Sequence, residues 1–339
     1  MWLQVIRLGW VFLLFALSAK SKKKITLRAL CDSAVNYYLF SRLAWDKKVK
    51  ISTQKAGIIL IAPSVFLVCA LLVYPVLYGV WLSFFKKHSF FPEQKFTGLA
   101  NYIYLMRDSE FWMSVWYGTV YSVSTIFLQI VIGVIAALIL NEAFRGRNLV
   151  RGVVLFPYMI PTVVAIILWK WLLNTQFGLV NYLLLAMGII EDPLSWMGKD
   201  YIMTSLIIIS VWEFFPFVVL SVLARLQTIP PALYEAAKVD GAGALSRFIH
   251  VTLPQLRNVL FVVILLRSIW MFTKFDTVWL LTQGGGAEKY VRTLPVYAYM
   301  RTFMYYQAGL GSALAVIMFG ILIAATTVYF KMFRREGEI

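Results

Sequence analysis

The chain has 339 residues, of which 61% are hydrophobic and 14% charged, and its formal net charge is +16 at pH 7. With a mean hydropathy of +0.76, this composition exceeds what a soluble domain needs and excludes that class. The positive charge is divided among loops between apolar runs, whereas a nucleic-acid-binding protein concentrates it on one face, so no nucleic-acid partner is expected.

Residues 1–55 are predicted to form an N-terminal hydrophobic segment followed by a basic cytoplasmic flank. The apolar run Leu8–Ala19 is shorter than the roughly 20 residues of a membrane span, and it lacks the charge order of a secretory signal. An extra span, an interfacial helix and a start placed too far upstream all remain open, with a peripheral helix favoured. Residues 20–55 carry ten Lys or Arg and two acids, as a flank that orients the next helix would.

A membrane domain is predicted over residues 56–331, with a cytoplasmic tail at 332–339. Its six apolar segments, each long enough to cross a bilayer, are about 57–85, 112–140, 149–173, 201–223, 259–281 and 307–330. Loops on the side of the basic flank hold 20 Lys and Arg with that flank included, and the opposite loops hold eight. The positive-inside rule therefore places loop 224–258 and the C-terminus in the cytoplasm.

The long polar loop between the fourth and fifth spans predicts a docking element for a partner outside the membrane. Pro230 and Pro231 precede a helix-forming run, which suits proline at the start of a helix. Gly241 and Gly243 allow a sharp change of direction, and Pro254 begins the next segment. A short helix, a glycine turn and a second short helix are expected here.

Within this loop, Glu-Ala-Ala is followed after three residues, the last of them Asp, by Gly and further on by Leu-Pro. The residues that carry this pattern are Glu235, Ala236, Ala237, Asp240, Gly241, Ala242, Phe248, Leu253 and Pro254. The pattern resembles the EAA loop in the membrane subunits of binding-protein-dependent ABC importers. The resemblance implies an all-α polytopic bundle of the type I importer permease kind, with six core spans and an extra N-terminal segment. It also implies that these residues, Phe248 apart, couple the subunit to an ATPase.

A second run of residues lies between the fifth and sixth spans, at 275–303. The residues concerned are Phe275, Asp276, Leu281, Thr282, Gly284, Gly285, Thr293, Leu294, Tyr297, Tyr299 and Phe303. They resemble the corresponding segment in the first subunit of carbohydrate-class importers of the maltose and glycerol-phosphate type. Gly286 departs from that pattern, in which Pro is usual. Two interpretations stay open: a region that receives sugar from a binding protein, and a structural outer loop.

The resemblance implies a subunit that imports a sugar or oligosaccharide across a bacterial plasma (inner) membrane. The implied partners are a second homologous permease subunit, two cytoplasmic ATPase subunits and an extracytoplasmic solute-binding protein that delivers the sugar. Import of another solute such as glycerol phosphate is the alternative, and a membrane scaffold without transport is a more distant one.

The chain itself is predicted to be non-catalytic and to hold no cofactor. It has no G-x-x-x-x-G-K-[ST] phosphate loop and no nucleophile–base pair, so ATP and Mg are expected on the partner ATPases. Cys31 and Cys69 have no Cys or His neighbour at metal-ligand spacing, and no metal site is expected.

Ionisable residues inside predicted spans are candidates for the substrate pathway, because each costs about 2.5–3.5 kcal/mol at a helix centre. Trp212 and Glu213 lie on the fourth span, while Arg267, Trp270 and Lys274 follow an i, i+3, i+7 spacing along one face of the fifth. One interpretation is a sugar-binding cavity lined by Trp212, Glu213, Trp270 and Lys274. The other is a Glu213–Arg or Glu213–Lys pair that holds the spans together. The two cations favour an anionic sugar such as a uronate oligomer.

Overall fold

The computed structural model describes residues 53–282 and 288–337. Most of these residues are helical, and their one sheet is an antiparallel pair of short strands, β1 (Phe85–Lys87) and β2 (Gln94–Phe96). The predicted all-α class is therefore confirmed. The predicted segment Leu8–Ala19, most of the basic flank and Gly284–Gly286 lie outside the described residues.

The chain divides into two compact units, with the boundary between Val73 and Tyr74. In the first unit, α1 (Thr53–Val68) leads into a π-helical turn at Cys69–Val73. The second unit opens with α2 (Tyr74–Leu82). The stretch Leu60–Leu82 is long and apolar enough to cross a membrane, and none of its 18-residue apolar window is buried.

The second unit contains thirteen α-helices among the described residues. After α2 they are α3 (Ala100–Arg107), α4 (Ser109–Asn141), α5 (Arg147–Met159), α6 (Thr162–Leu172), α7 (Leu179–Ala186), α8 (Ile202–Leu226), α9 (Pro231–Val239), α10 (Ala244–Arg247), α11 (Leu253–Phe272), α12 (Asp276–Thr282), α13 (Leu294–Tyr299) and α14 (Ala308–Gly337). A 3-10 turn covers Glu288–Tyr290, and π-helical turns cover Phe248–Thr252 and Met300–Met304.

Five helical stretches in the described part of the chain are long and apolar enough to span a membrane, or six if one bent pair counts as a span. They are Leu60–Leu82, Ser109–Asn141, Ile202–Leu226, Ala244–Phe272 and Ala308–Phe333. The third predicted span, 149–173, corresponds to the bent pair α5 and α6, whose axes differ by 100°. Ile160 precedes Pro161 and is extended, with ψ of 135°, because proline disfavours the helical region for the residue before it.

The fifth predicted span also differs from the structure, because α11 ends at Phe272 and a separate helix, α12, begins at Asp276. The hydroxyl of Thr273 donates to the carbonyl of Ile269, and the N–H of Lys274 donates to the carbonyl of Met271. These bonds close the last turn of α11. Since α12 is apolar as well, α11 and α12 form one continuous apolar run in the sequence, and this run was predicted as a single span.

The long helices α4 and α8 form the centre of the bundle and pack closely at Gly133. A Cβ atom at this position would lie 2.6 Å from Cβ of Val218 and 3.3 Å from the carbonyl oxygen of Phe215. Small residues let membrane helices approach to backbone distance, and Gly133 does so here.

Buried side chains distinguish two ends of the bundle. At what we call the loop end, Leu140 of α4 and Leu226 of α8 pack in one apolar cluster with Leu256 of α11. At the opposite end, called the hairpin end, Phe111 of α4 packs with Tyr297 of α13. The β1–β2 hairpin lies at this second end, because Asn101 of α3, the helix directly before α4, donates to the carbonyl of Phe85. The loop between α8 and α11 and the hairpin are therefore at opposite ends of α4.

Candidate functional site

The predicted docking loop has a defined backbone, fixed where α9 ends. Gly241 has a φ of +78°, which favours glycine. Its N–H donates to the carbonyl of Lys238 at 3.1 Å, and the N–H of Ala242 donates to the carbonyl of Ala237 at 2.9 Å. This pair of bonds is a Schellman motif, the usual glycine-dependent end of a helix. Gly243 is extended instead, with a φ of −69°, so the left-handed turn belongs to Gly241 alone.

Hydrogen bonds connect the first helix of this loop with its last turn, and connect the ends of the two helices that the loop joins. The hydroxyls of Tyr234 and Thr252 lie 3.1 Å apart. The guanidinium of Arg225, near the end of α8, donates to the backbone carbonyl of Gln255 at 3.0 Å and to its side-chain oxygen at 2.7 Å. A displacement of the loop would therefore be transmitted to α8 and α11 together.

One surface of the loop is exposed and carries both apolar and acidic groups. Val239 is 88% exposed and Leu245 is 72% exposed. The predicted coupling residues Glu235, Ala236, Asp240, Gly241, Leu253 and Pro254 are exposed, whereas Ala237 and Ala242 are partly buried. Exposed apolar side chains on an ordered helix next to acidic ones are typical of a protein-docking surface.

A cavity of about 540 Å³ lies between α5, α8 and the end of α11. Its lining residues are Tyr158, Phe214, Arg267, Trp270, Met271, Thr273, Lys274, Phe275 and Asp276. Two of the four predicted pathway residues, Trp270 and Lys274, are among them. The cavity combines aromatic rings with a few polar groups, which suits a small polar ligand.

The other two predicted pathway residues do not line this cavity. The Trp212 ring packs against that of Trp169 on α6, with centroids 5.5 Å apart. Glu213 is 2% exposed, and its Oε1 accepts a hydrogen bond of 2.5 Å from the hydroxyl of Thr162. Thr162 is the first residue of α6, directly after the bend, so Glu213 holds the broken span at its break.

The described residues do not place a Lys or Arg in an ion pair with Glu213, so the predicted pair between spans is not formed. Glu213 Oε2 is buried and has no hydrogen-bond partner among the described groups. Arg267 is 1% exposed and donates from Nε to Oε1 of Gln129 at 2.9 Å. Its guanidinium also lies over the ring of Phe214, 4.7 Å from the centroid. A neutral amide and an aromatic face thus stabilise this cation.

Lys274 reaches the cavity by a different route from the predicted one. The sequence places it on one helical face with Arg267, but it lies in the turn after α11. Its ammonium is 3.0 Å from the carboxylate of Asp276 and 4.5 Å from the centroid of the Phe214 ring. Asp276 therefore neutralises one of the two cations of the cavity.

At the hairpin end, several residues of segment 275–303 belong to a buried network. Tyr297 donates to the carboxylate of Asp108, the N-cap residue of α4, and accepts from Arg301 at 2.8 Å. Arg301 also pairs with Asp108 at 3.0 Å. Burial raises the pKa of Tyr297, and its bond to Asp108 acts in the same direction, so its hydroxyl stays protonated as a donor. Tyr297, Thr293 and Leu294 are buried, which gives these positions a structural role.

The sequence did not predict the contacts made by three residues, which are Thr162, Gln129 and Asp276. Asp276 is concerned here as the partner of Lys274. Gln129 and Thr162 lie 138 and 51 residues from the groups that they bind. Only the packing of the helices brings them together. Asp276 stands two residues from Lys274, and this short spacing was a usable signal.

Comparison with known proteins identifies relatives that match most of the length of this chain. Residues 129–336 match the family described as binding-protein-dependent transport system inner membrane component. The chain is 36% identical to the trehalose/maltose transport system permease protein MalF of Thermococcus litoralis over 297 residues, which is 85% of this chain and 98% of the relative. It is 32% identical to the sulfoquinovosyl glycerol transport system permease protein SmoG of Agrobacterium fabrum, over 86% of this chain and 94% of the relative.

The fold is similar to that of a solved structure. A chain in the crystal structure of a bacterial ABC transporter involved in the import of the acidic polysaccharide alginate superposes with a TM-score of 0.74. The two sequences are 21% identical, and the match covers 87% of this chain and 99% of the other. At this identity the likeness shows the fold and no more.

Proposed function

Because the chain belongs to the family of binding-protein-dependent transport system inner membrane components, we propose that it is the transmembrane subunit of an ATP-driven sugar importer. Its cargo is a sugar or oligosaccharide delivered by an extracytoplasmic solute-binding protein. The relatives named for trehalose, maltose and sulfoquinovosyl glycerol support this class of cargo. The subunit is non-catalytic, and ATP and Mg bind to separate ATPase chains.

The observation that carries the proposal is the docking loop at the loop end of the bundle. Its Schellman turn at Gly241 orders the helix that presents Glu235 and Val239 outward. This surface packs against one of two cytoplasmic ATPases. When ATP draws the ATPases together, the loop moves and carries α8 and α11 with it. The loop contacts the ATPase differently in the two states, since ATP binding otherwise would not shift the equilibrium.

The cavity beside Trp270 is this subunit's part of the sugar pathway. Aromatic rings pack against the apolar faces of sugar rings, and the Lys274–Asp276 pair offers both donors and acceptors to hydroxyl groups. Since Asp276 cancels the charge of Lys274, only Arg267 leaves a positive charge at the cavity, and the preference for a uronate oligomer is weaker than the two cations suggest on sequence alone. A second, homologous permease subunit completes the pathway.

The experiment that tests the coupling role is a charge reversal on the exposed surface of the loop. Glu235→Lys places a cation where the docking surface carries an acid, and like-charge contacts across an interface cost several kcal/mol. We expect uptake by the complete transporter and co-purification of the ATPase to fall at least about tenfold, with membrane insertion unchanged.

The matched control is Glu142→Lys, which reverses an exposed carboxylate at the same end of the bundle but outside the loop. This variant should retain uptake and the ATPase. Normal uptake in Glu235→Lys, or equal losses in both variants, would contradict the assignment of the loop.

A further inference from the structure

The β1–β2 hairpin lies where the bilayer meets water. β1 starts at Phe85, three residues beyond Leu82, the end of an apolar stretch long enough to span. The hairpin also packs against the first turn of α14, because a Cβ atom on Gly309 would lie 1.9 Å from the carbonyl oxygen of Phe85. The N–H of Ser89 donates to the carbonyl of Tyr306 at 2.8 Å. Two span ends thus hold the hairpin at membrane-surface depth.

Two lysines stand directly opposite each other across this hairpin. The strand register pairs Lys86 with Lys95, and both side chains are exposed. Like charges in directly opposed positions destabilise a strand pair. Among the described residues, neither lysine forms an ion pair with a carboxylate, although Glu93 belongs to the same hairpin. An external anion would remove the repulsion.

A cleft of about 580 Å³ lies beside Lys86, between the hairpin, α3 and the start of α14. Its polar lining residues are Lys86, Lys87, His88, Thr97, Asn101, Tyr104, Tyr305 and Gln307. Among the described residues no carboxylate lines it, so this part of the chain offers cationic and hydroxyl donors without a competing negative charge. Such a donor set suits a phosphate group.

The same hairpin and its turn carry exposed aromatic residues. Phe90 is 71% exposed, Phe91 is 61% exposed and Phe96 is 67% exposed. Aromatic side chains combined with lysine are typical of segments that lie in the headgroup layer of a membrane. A protein partner with an acidic face could contact both the lysines and the phenylalanines, but the position of the hairpin between two span ends favours a lipid headgroup.

We propose that the hairpin and its cleft bind the headgroup of an anionic phospholipid. The phosphate lies in the cleft beside Lys86, with Lys95 opposite that lysine across the hairpin, and the phenylalanine rings enter the interfacial layer of the bilayer. This lipid site is separate from the sugar pathway and lies at the opposite end of the bundle from the docking loop.

The test compares lipid retention by the complete transporter after reconstitution in vesicles of equal parts phosphatidylglycerol and phosphatidylcholine. Native mass spectrometry then reports which lipid stays bound. We expect wild type to retain phosphatidylglycerol selectively, and K86Q/K95Q to lose about 30-fold in affinity for it, since each lysine contributes about fivefold at a membrane surface. Both lysines are exposed and the variant removes their repulsion, so its unfolding temperature should equal that of the wild type or lie slightly above it.

The matched control is K199Q/K289Q, which removes two cations from other outer loops, each near the ring of Tyr290. It should retain phosphatidylglycerol as the wild type does. Equal retention of both lipids by the wild type, or an equal loss in the two double variants, would overturn the proposal. Release of the lipid by excess inorganic phosphate would assign the cleft to a free anion and would also overturn it.

Discussion

Two glycines separated by one residue illustrate how much a single backbone angle decides in the docking loop. Gly241 and Gly243 both have open space where a side chain would stand, because nothing lies within 4 Å of a Cβ atom added to either. They differ in φ, which is +78° at Gly241 and −69° at Gly243. Only the first angle is unfavourable for other residues, so the requirement for glycine is conformational and not steric.

The same substitution should therefore have a large effect at Gly241 and little effect at Gly243. Gly241→Val forces a β-branched residue into the left-handed region, which costs about 1–2 kcal/mol, whereas Gly243→Val meets no such cost. Hydrogen exchange of the amides in Ala236–Ala242 should accelerate about 5–30-fold in the first variant and stay unchanged in the second. Sugar uptake should fall in the Gly241 variant only. Equal exchange in the two variants would contradict this assignment.

For single residues, the sequence predicted features that depend on neighbours along the chain. It did not predict contacts that depend on how the helices pack. Gly241 is marked by its neighbours along the chain, and the structure gives it the expected turn. Trp270 and Lys274 share a cavity, although Lys274 reaches it from a turn. Glu213 binds Thr162 only because the chain bends by 100° at Ile160–Pro161, and no spacing rule contains that bend. The pathway role of these side chains stays a prediction.

Among the elements, the bent pair α5–α6 departs most from the sequence-based expectation. Residues 149–173 are apolar almost throughout, and hydropathy therefore reads them as one straight span. Proline is tolerated inside membrane helices, and Pro157 indeed lies within α5, so the presence of Pro161 did not by itself announce a break. The extended conformation of Ile160 and the bond from Thr162 to Glu213 define the actual geometry.

The close contact of α4 with α8 provides a test of helix packing. Gly133→Ala would place a methyl group 2.6 Å from Cβ of Val218, and such overpacking typically costs about 1–3 kcal/mol. Gly118→Ala on the same helix would meet only an ordinary contact, at 3.8 Å from Cβ of Thr293. In detergent, the unfolding temperature should fall in the first variant and hold or rise in the second. Equal behaviour would show that α4 and α8 separate freely at Gly133.

For the whole molecule, composition was sufficient to predict the class and the approximate positions of the membrane-spanning segments. The all-α membrane fold and the importer family are confirmed, because hydropathy and the EAA pattern are properties of contiguous residues. The boundaries are less accurate, since α11 and α12 form one apolar run in sequence, and α14 continues to Gly337 beyond the predicted end at 330. The limits of the domains and the cytoplasmic position of the loop stay predictions.

The orientation of the bundle can be measured with single cysteines at its two ends. In a variant with Cys31 and Cys69 replaced by Ser, Val239→Cys marks the docking loop and Glu93→Cys marks the hairpin, both at exposed positions. A membrane-impermeant maleimide should label Glu93→Cys from the outside of intact cells and Val239→Cys only in inverted vesicles. The reverse pattern would place the docking loop outside, away from cytoplasmic ATP.

The contact at Gly133 divides α8 into two arms of unequal length. Val218, which touches it, lies eight residues from Leu226 and sixteen from Ile202, or about 12 Å and about 24 Å along the axis. If α8 rocks about this contact as a rigid rod, a displacement at the docking loop is reversed in direction and doubled at the far end. Pro216 lies two residues from the contact, and a proline inside a helix is a site where the helix can bend, so α8 is least rigid there. The ratio of the displacements at the two ends of α8 is then set by the position of Gly133 along the bundle.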